Sequence, residues 1–164
     1  MGTLFTPWRY AYITQPPTAG QGCFFCQGAS APDDPERLVV HVARHHLVML
    51  NRHPYTNGHL MVAPLAHVAS PAACGAEARA EFWSTVLLAQ RVLEMAYQPN
   101  GMNMGMNLGR SAGAGVPDHF HFHLVPRWHG DTNFMTAIGD LRLVPEDLGG
   151  TWERLRPLFV REVG

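Results

Sequence analysis

The amino-acid sequence predicts an α+β fold built on an antiparallel sheet. Three observations lead there. Short apolar segments of strand character flank one long helical pattern, an order that favours segregated helices over a doubly wound arrangement. One segment alternates polar and apolar residues strictly, as a strand with two different faces does. The 164 residues suffice for one domain with its own core, and no repeat, low-complexity tract or linker divides them.

Residues 1–21 mix aromatics with Pro and Gly (Trp8, Tyr10, Tyr12, Pro16, Pro17, Gly20) and read as an ordered but irregular N-terminal arm. Residues 22–36 read as a Cys- and Pro-bearing loop. Leu38 to Leu50, LVVHVARHHLVML, reads as two β segments broken near Arg44. Asn, Pro and Gly in NRHPYTNGH make a turn, and HLMVAP at residues 59–64 makes a short apolar strand. Pro71 and the small residues after it open a helix near Gly75 that runs to Tyr97. Phe82, Val86, Leu87, Gln90, Leu93 and Tyr97 recur at steps of three and four along it. Pro99, Asn100 and Gly101 stop that helix. GMNMGMNLG follows as a strand whose glycines permit close approach of a ligand or another backbone. The Gly- and Ala-rich loop RSAGAGVPD leads into HFHFHLVPRW, and the tail carries a short helix around Trp152, Leu155, Leu158 and Phe159. The expected organisation is one domain over 1–164, with a core at 22–135 and a C-terminal tail at 136–164.

Composition excludes several function classes. No apolar run approaches the ~20 residues of a membrane span. The N-terminus lacks the basic-then-apolar pattern of a secretion signal, so a cytoplasmic location is expected, with no membrane partner. A net charge of −1 gives no electrostatic hold on a phosphate backbone, so no nucleic acid is expected as partner. All 12 basic residues are Arg. Without Lys there is no Walker-type phosphate loop and no Schiff-base chemistry.

The 10 His outnumber Asp and outnumber Glu. Three of them stand in His119-Phe120-His121-Phe122-His123-Leu124-Val125. In a strand, His119, His121 and His123 share one face, with about 7 Å between successive Cα atoms on that face. Phe120, Phe122 and Leu124 share the other and can anchor the strand in a core. A row of imidazoles suits metal binding or the handling of an anion such as phosphate.

HFHFHLV resembles the His-φ-His-φ-His-φ-φ signature of the histidine triad (HIT) superfamily, φ being apolar. LNRHPYTNGHLMVAP at residues 50–64 resembles the upstream nucleotide-binding segment of that family. AGAGVPDHFHFHLVPRWHGDTNFM resembles its bacterial and archaeal branch near diadenosine tetraphosphate phosphorylases and hydrolases. The resemblance runs from Cys23 to Met135. It implies an α+β fold with about five antiparallel strands, one long and one short helix, and a homodimer.

The resemblance places the nucleophile at His121, which attacks a nucleotide α-phosphorus to form a nucleotidyl-histidine. It places His123 and His59 beside the phosphates, and Asn51 on the ribose. Asn107, Ser111 and the amides from Gly113 to Gly115 would line a phosphate channel. The loop departs slightly in length from the fragile-histidine-triad branch, so the Gln position of that branch falls near Asn107 or Leu108. The chemistry is consistent: a neutral imidazole is a competent nucleophile near neutral pH, and donors on the phosphate oxygens stabilise the transition state. The implied substrate is an adenine nucleotide or dinucleoside polyphosphate, with water or inorganic phosphate as acceptor. A nucleoside phosphoramidase-type hydrolase and a non-catalytic nucleotide-binding zinc module are the competing readings.

Cys23-Phe-Phe-Cys26 is a C-x-x-C, which by itself serves redox chemistry or metal binding. No thioredoxin-like βαβ setting accompanies it. Relatives in the superfamily complete a structural zinc site with a His after the Leu-Val-x-Pro-type strand and the first triad His. Those positions match His67 and His119. The implied ligand set is Cys23, Cys26, His67 and His119 around a structural zinc, with no organic cofactor. Cys74, at the helix entry, takes no part.

Overall fold

The computed structural model describes residues 22–133, 138 and 144–163. The expected arm at 1–21, and the 134–143 stretch apart from residue 138, lie outside the described residues. Helix α1 covers Phe24–Ser30, followed by strands β1 Val39–Val42, β2 His46–Leu50 and β3 Leu60–Pro64. Helix α2 is Ala76–Tyr97, then come β4 Gly101–Met106, β5 Phe122–Arg127 and helix α3 Leu148–Val163. The five strands form one antiparallel sheet in the order β1-β2-β3-β5-β4.

The strands β2 and β3 are buried along their whole length. Both faces of these two strands are covered, so both sets of their alternating side chains are apolar apart from His46. Val48, Leu50, Leu60, Val62, Phe120, Phe122 and Leu124 face the larger core, which α2 and α3 cover. Leu47, Met49, Met61 and Ala63 face a smaller one, closed by Phe25 of α1.

The Gly75 N-cap opens α2, and Gln98 ends it in a left-handed conformation at φ +44°, just before Pro99. Its buried stripe is Phe82, Thr85, Val86, Ala89, Val92 and Leu93. Leu87, expected on that face, is 49% exposed. It lies one residue, about 100° of rotation, beyond the buried Val86. Helix α3 buries Thr151, Leu155 and Phe159, four apart on one face. The Trp152 indole donates to the Val39 carbonyl at 2.8 Å, and Phe159 stacks on His41 at 5.4 Å, so α3 is fastened to β1.

The structure differs from expectation in two further local respects. The segment 22–36 contains a helix where a loop was expected, so there are three α-helices among the described residues. Burial of Phe25 and the clustering of two thiols there outweigh a composition that reads as loop. The ladder of the histidine strand begins at Phe122 rather than His119. Pro64, which the β3 register would bring opposite Phe120, has no N–H to pair, and Phe120 N bonds Val68 O at 2.9 Å instead. The alternation survives outside the ladder: Phe120 and Phe122 pack on Phe82, while His119 and His121 pack on Phe25.

Candidate active site

The turn between β2 and β3 carries one half of the site. Asn51 N bonds His59 O at 2.9 Å, and the Asn51 carboxamide oxygen accepts from His53 N at 2.9 Å, closing the loop on itself. Gly58 holds φ +69°, and a Cβ there would lie 2.8 Å from Tyr97 and 3.0 Å from Leu93. Only glycine fits that position while delivering His59, which is 1% exposed, to the sheet.

The other half is the histidine segment. His121 is 5% exposed, and its ring centroid is 4.9 Å from that of His123, nearly perpendicular. His59 and His123 are hydrogen-bonded, Nε2 to Nδ1, at 3.0 Å. Backbone partners fix the proton on His59 and His121, and His59 fixes it on His123. The Tyr55 N–H donates to His59 Nδ1 at 3.2 Å, so the His59 proton sits on Nε2 and is donated to His123 Nδ1. The His123 proton then sits on Nε2, at the opposite side of its ring. His121 Nδ1–H donates to the His119 carbonyl at 3.1 Å, which leaves His121 Nε2 with its lone pair.

Burial favours the neutral forms. It pulls His119 and His121 below the ordinary imidazole range. Burial, with the neighbouring His121, takes His123 down to about 4. A neutral nucleophile and a neutral N–H donor thus stand side by side.

His119, on the same segment, faces another set of donors. Its Nδ1 lies 3.3 Å from Cys23 Sγ, 3.6 Å from Cys26 Sγ and 3.2 Å from His67 Nδ1, and Cys26 Sγ lies 3.4 Å from His67 Nδ1. All four donor atoms fall within 4.8 Å of one another. Around a tetrahedral zinc, ordinary bond lengths put S···N edges at about 3.6 Å and N···N edges at about 3.3 Å. The four residues therefore fit such an ion. His119 Nε2–H donates to Pro64 O at 2.8 Å, which aims the Nδ1 lone pair at the cluster as an outer partner of a metal ligand does. Burial, and a hydrogen bond that its S–H gives to Cys23, push the Cys26 thiol up, so binding a cation there displaces protons.

The loop after β4 carries the remaining candidates and joins the histidine segment through the His119 N–H, which bonds Val116 O at 3.3 Å. Ser111 and Gly115 are exposed, Asn107 and Gly113 half-buried. Ser111 sits in a single 3-10 turn, Arg110–Ala112, which Gly113 ends at φ +89°. The amides of Gly113 and Ala114 bond inside the loop, to Arg110 O at 2.9 Å and Gly109 O at 3.2 Å.

Two aromatic residues at the site carried no expectation. Tyr55 is 45% exposed with its ring 4.7 Å from His59 and 6.3 Å from His123. Phe25 is fully buried, its ring 5.0 Å from His119 and 4.9 Å from His121. The visible signals are a Tyr within the turn that delivers His59 and an aromatic pair between two cysteines.

A family model described as the HIT domain matches residues 34–130. AP-4-A phosphorylase from Mycobacterium tuberculosis (strain CDC 1551 / Oshkosh) is 35% identical over 166 residues, covering 97% of this chain and 85% of that protein. The crystal structure of a Zn-bound histidine triad family protein from Mycobacterium smegmatis is similar with a TM-score of 0.68 at 25% identity, over 87% of this chain and 96% of that one. A hypothetical histidine triad nucleotide-binding protein from Sulfolobus tokodaii strain 7 shares the fold, with a TM-score of 0.67 at 24% identity over 85% and 93% of the two chains.

Proposed function

The chain belongs to the HIT domain family, and from that premise we propose that it is a nucleotidyl hydrolase or transferase acting at a nucleotide α-phosphate, with a dinucleoside polyphosphate as substrate. The observation that carries the reading is the hydrogen bond from His121 Nδ1 to the His119 carbonyl, which presents Nε2 as the nucleophile. In the first step, Nε2 forms a bond to the α-phosphorus and the phosphoanhydride bond breaks. The leaving nucleotide departs with the electron pair. In the second, an acceptor oxygen attacks the same phosphorus and His121 leaves as neutral imidazole. The His123 Nε2–H donates to phosphate oxygens, held in that tautomer by His59 and the Tyr55 amide. With its oxygen engaged in the turn, Asn51 offers Nδ2 to the ribose. Asn107, the Ser111 hydroxyl and the Gly115 amide line the phosphate chain, with Gly113 turning the backbone toward it.

Cys23, Cys26, His67 and His119 would hold zinc. A closed set of four donors leaves no open position, so the ion supplies structure and not a reacting water. Phosphate as acceptor makes the protein a phosphorylase, the reading supported by its likeness to the Mycobacterium tuberculosis enzyme.

Incubation with diadenosine tetraphosphate, with and without inorganic phosphate, followed by chromatography, tests this. ADP plus ATP, formed only with phosphate, is the expected result. AMP plus ATP without phosphate makes water the acceptor. No product in either arm would overturn the substrate and point to phosphoramidates. Replacing His121 by Ala should lower turnover about 10³-fold or more while nucleotide affinity survives. Unchanged turnover would remove His121 from the mechanism.

A further inference from the structure

Helix α1 has few means of its own to persist. It is seven residues long, and its N-cap, Cys23, makes no side-chain capping bond. A helix of that length is marginal without tertiary support. Its support comes from two directions. Cys23 and Cys26 reach the imidazoles of His67 and His119. Between those cysteines, Phe25 fills the smaller core against Val39, Leu47, Met49, Met61 and Ala63.

Phe25 is more than filler. Its ring lies against two imidazoles at nearly equal distance and tilt: 5.0 Å and 40° for His119, 4.9 Å and 35° for His121. The His123 ring also stands 4.9 Å from His121, at 77°. Two rings, Phe25 and His123, thus pack on His121. That packing matters because the His119 carbonyl bond alone favours one ring orientation by only about fivefold, the ordinary net worth of one hydrogen bond. A half-turn of the ring would swap Nδ1 with a carbon and withdraw Nε2. A packed wall that resists the turn raises the share of rings in the reactive orientation.

We infer that Phe25 is a positioning residue through which occupancy of the Cys23, Cys26, His67 and His119 site sets the orientation of the His121 ring. The inference rests on the reading of His121 as nucleophile. With the cluster filled by a cation, α1 is clamped and Phe25 is pressed against the nucleophile. With the cluster empty, four donors no longer share a centre, the short helix loosens, and the wall behind His121 is lost. The ligands never touch the substrate, yet they act on the reacting ring by two routes: the His119 carbonyl and the Phe25 face.

The test uses the full chain loaded with zinc and the imidazole ¹⁵N spectrum at one fixed pH, the His121 signals being those lost in His121→Ala. In the native protein these signals are single and show the proton on Nδ1. In Phe25→Leu, zinc content is expected to stay at the native level while the His121 signals split or average. The kcat on diadenosine tetraphosphate should fall about 10- to 100-fold, with KM within about twofold, as for a misplaced reacting group. Removing zinc from the native protein with a chelator should give the same His121 signature with Phe25 intact. Val86→Ala, in the opposite core, should lower the melting temperature and leave the His121 signals alone.

Unchanged His121 signals in Phe25→Leu, or after chelation, would overturn the inference. So would an equal change in Val86→Ala, which would mark the effect as general loosening. If Phe25→Leu does not fold, Phe25→Met and chelation of the native protein decide. Failure of the native protein to turn over the dinucleotide, with the spectral coupling present, would count against the substrate and leave the coupling standing. Normal turnover with no coupling would sink the coupling alone.

Discussion

Three imidazoles of the site have their protons placed by backbone groups. Tyr55 N sets His59, the His119 carbonyl sets His121, and the Pro64 carbonyl sets His119. His123 inherits its tautomer from His59. His119, His121 and His123 are also kept neutral by burial, which has a consequence for pH. The folded-state values of His119, His121 and His123 lie below those of an unfolded chain. As pH falls below about 6.5, the unfolded chain takes up protons that the folded rings refuse. Stability from these rings is therefore complete above that pH and is lost as pH drops toward about 4, where His123 itself protonates. The melting temperature should fall by about 5–10 °C between pH 7 and 4.5. The acid limb of kcat/KM should lie below 6.5, since the nucleophile stays unprotonated there. A limb centred at or above 6.5 would show that these rings titrate as exposed ones do. At this scale the histidines were legible because their spacing is a local pattern. The contribution of Phe25 was not, because it depends on packing against rings about a hundred residues away in the chain, as the 96-residue separation of Cys23 and His119 illustrates.

At the scale of elements, the β2–β3 turn is tied to the end of α2. Gly58 sits under Tyr97 and Leu93, and the Tyr97 hydroxyl donates to Glu146, which also takes hydrogen bonds from Thr151 and Arg154. The His59 loop, α2 and the entry to α3 thus share one joint. Gly58→Ala combines a left-handed φ with contacts at 2.8 and 3.0 Å. It should cost about 2–3 kcal/mol of stability and shift His59, lowering turnover. Denaturant titration and kcat together check this, and a fully stable, fully active variant would show that the joint yields without moving His59. The positions of the five strands and of α2 were readable from periodicity and from Gly and Pro punctuation. Helix α1 was not, because Cys, Pro and Gly around it carry loop propensity and only tertiary burial overrides them. Nor could the start of the β5 ladder be read, since it depends on which β3 residue falls opposite: Pro64.

For the molecule as a whole, the sheet separates two unequal cores. Among the described residues, the larger is covered by 22- and 16-residue helices, the smaller by the seven-residue α1 and the donor cluster, with Leu65 and Val116 packed beside them. Loss of the ion should therefore be felt first as loss of stability. On addition of chelator, early turnover should be unchanged. As zinc leaves, the melting temperature should drop by about 10 °C, with turnover declining alongside. Instant, reversible inhibition before any change in melting would show that the ion meets the substrate. The order of strands, with β5 between β3 and β4, was not legible from patterns within single segments. It is fixed by pairing between segments such as Met61 with His123, which no local pattern records.

The fastening of α3 to β1 joins Trp152 to Val39 across 113 residues. A ribosome adding about 5–20 residues per second needs roughly 6–23 seconds to span that interval. Throughout it, β1 exists without the helix that shelters it. The hazard for a newly made chain thus concentrates on one early strand, and the time during which that strand invites misassembly is set by the speed of translation.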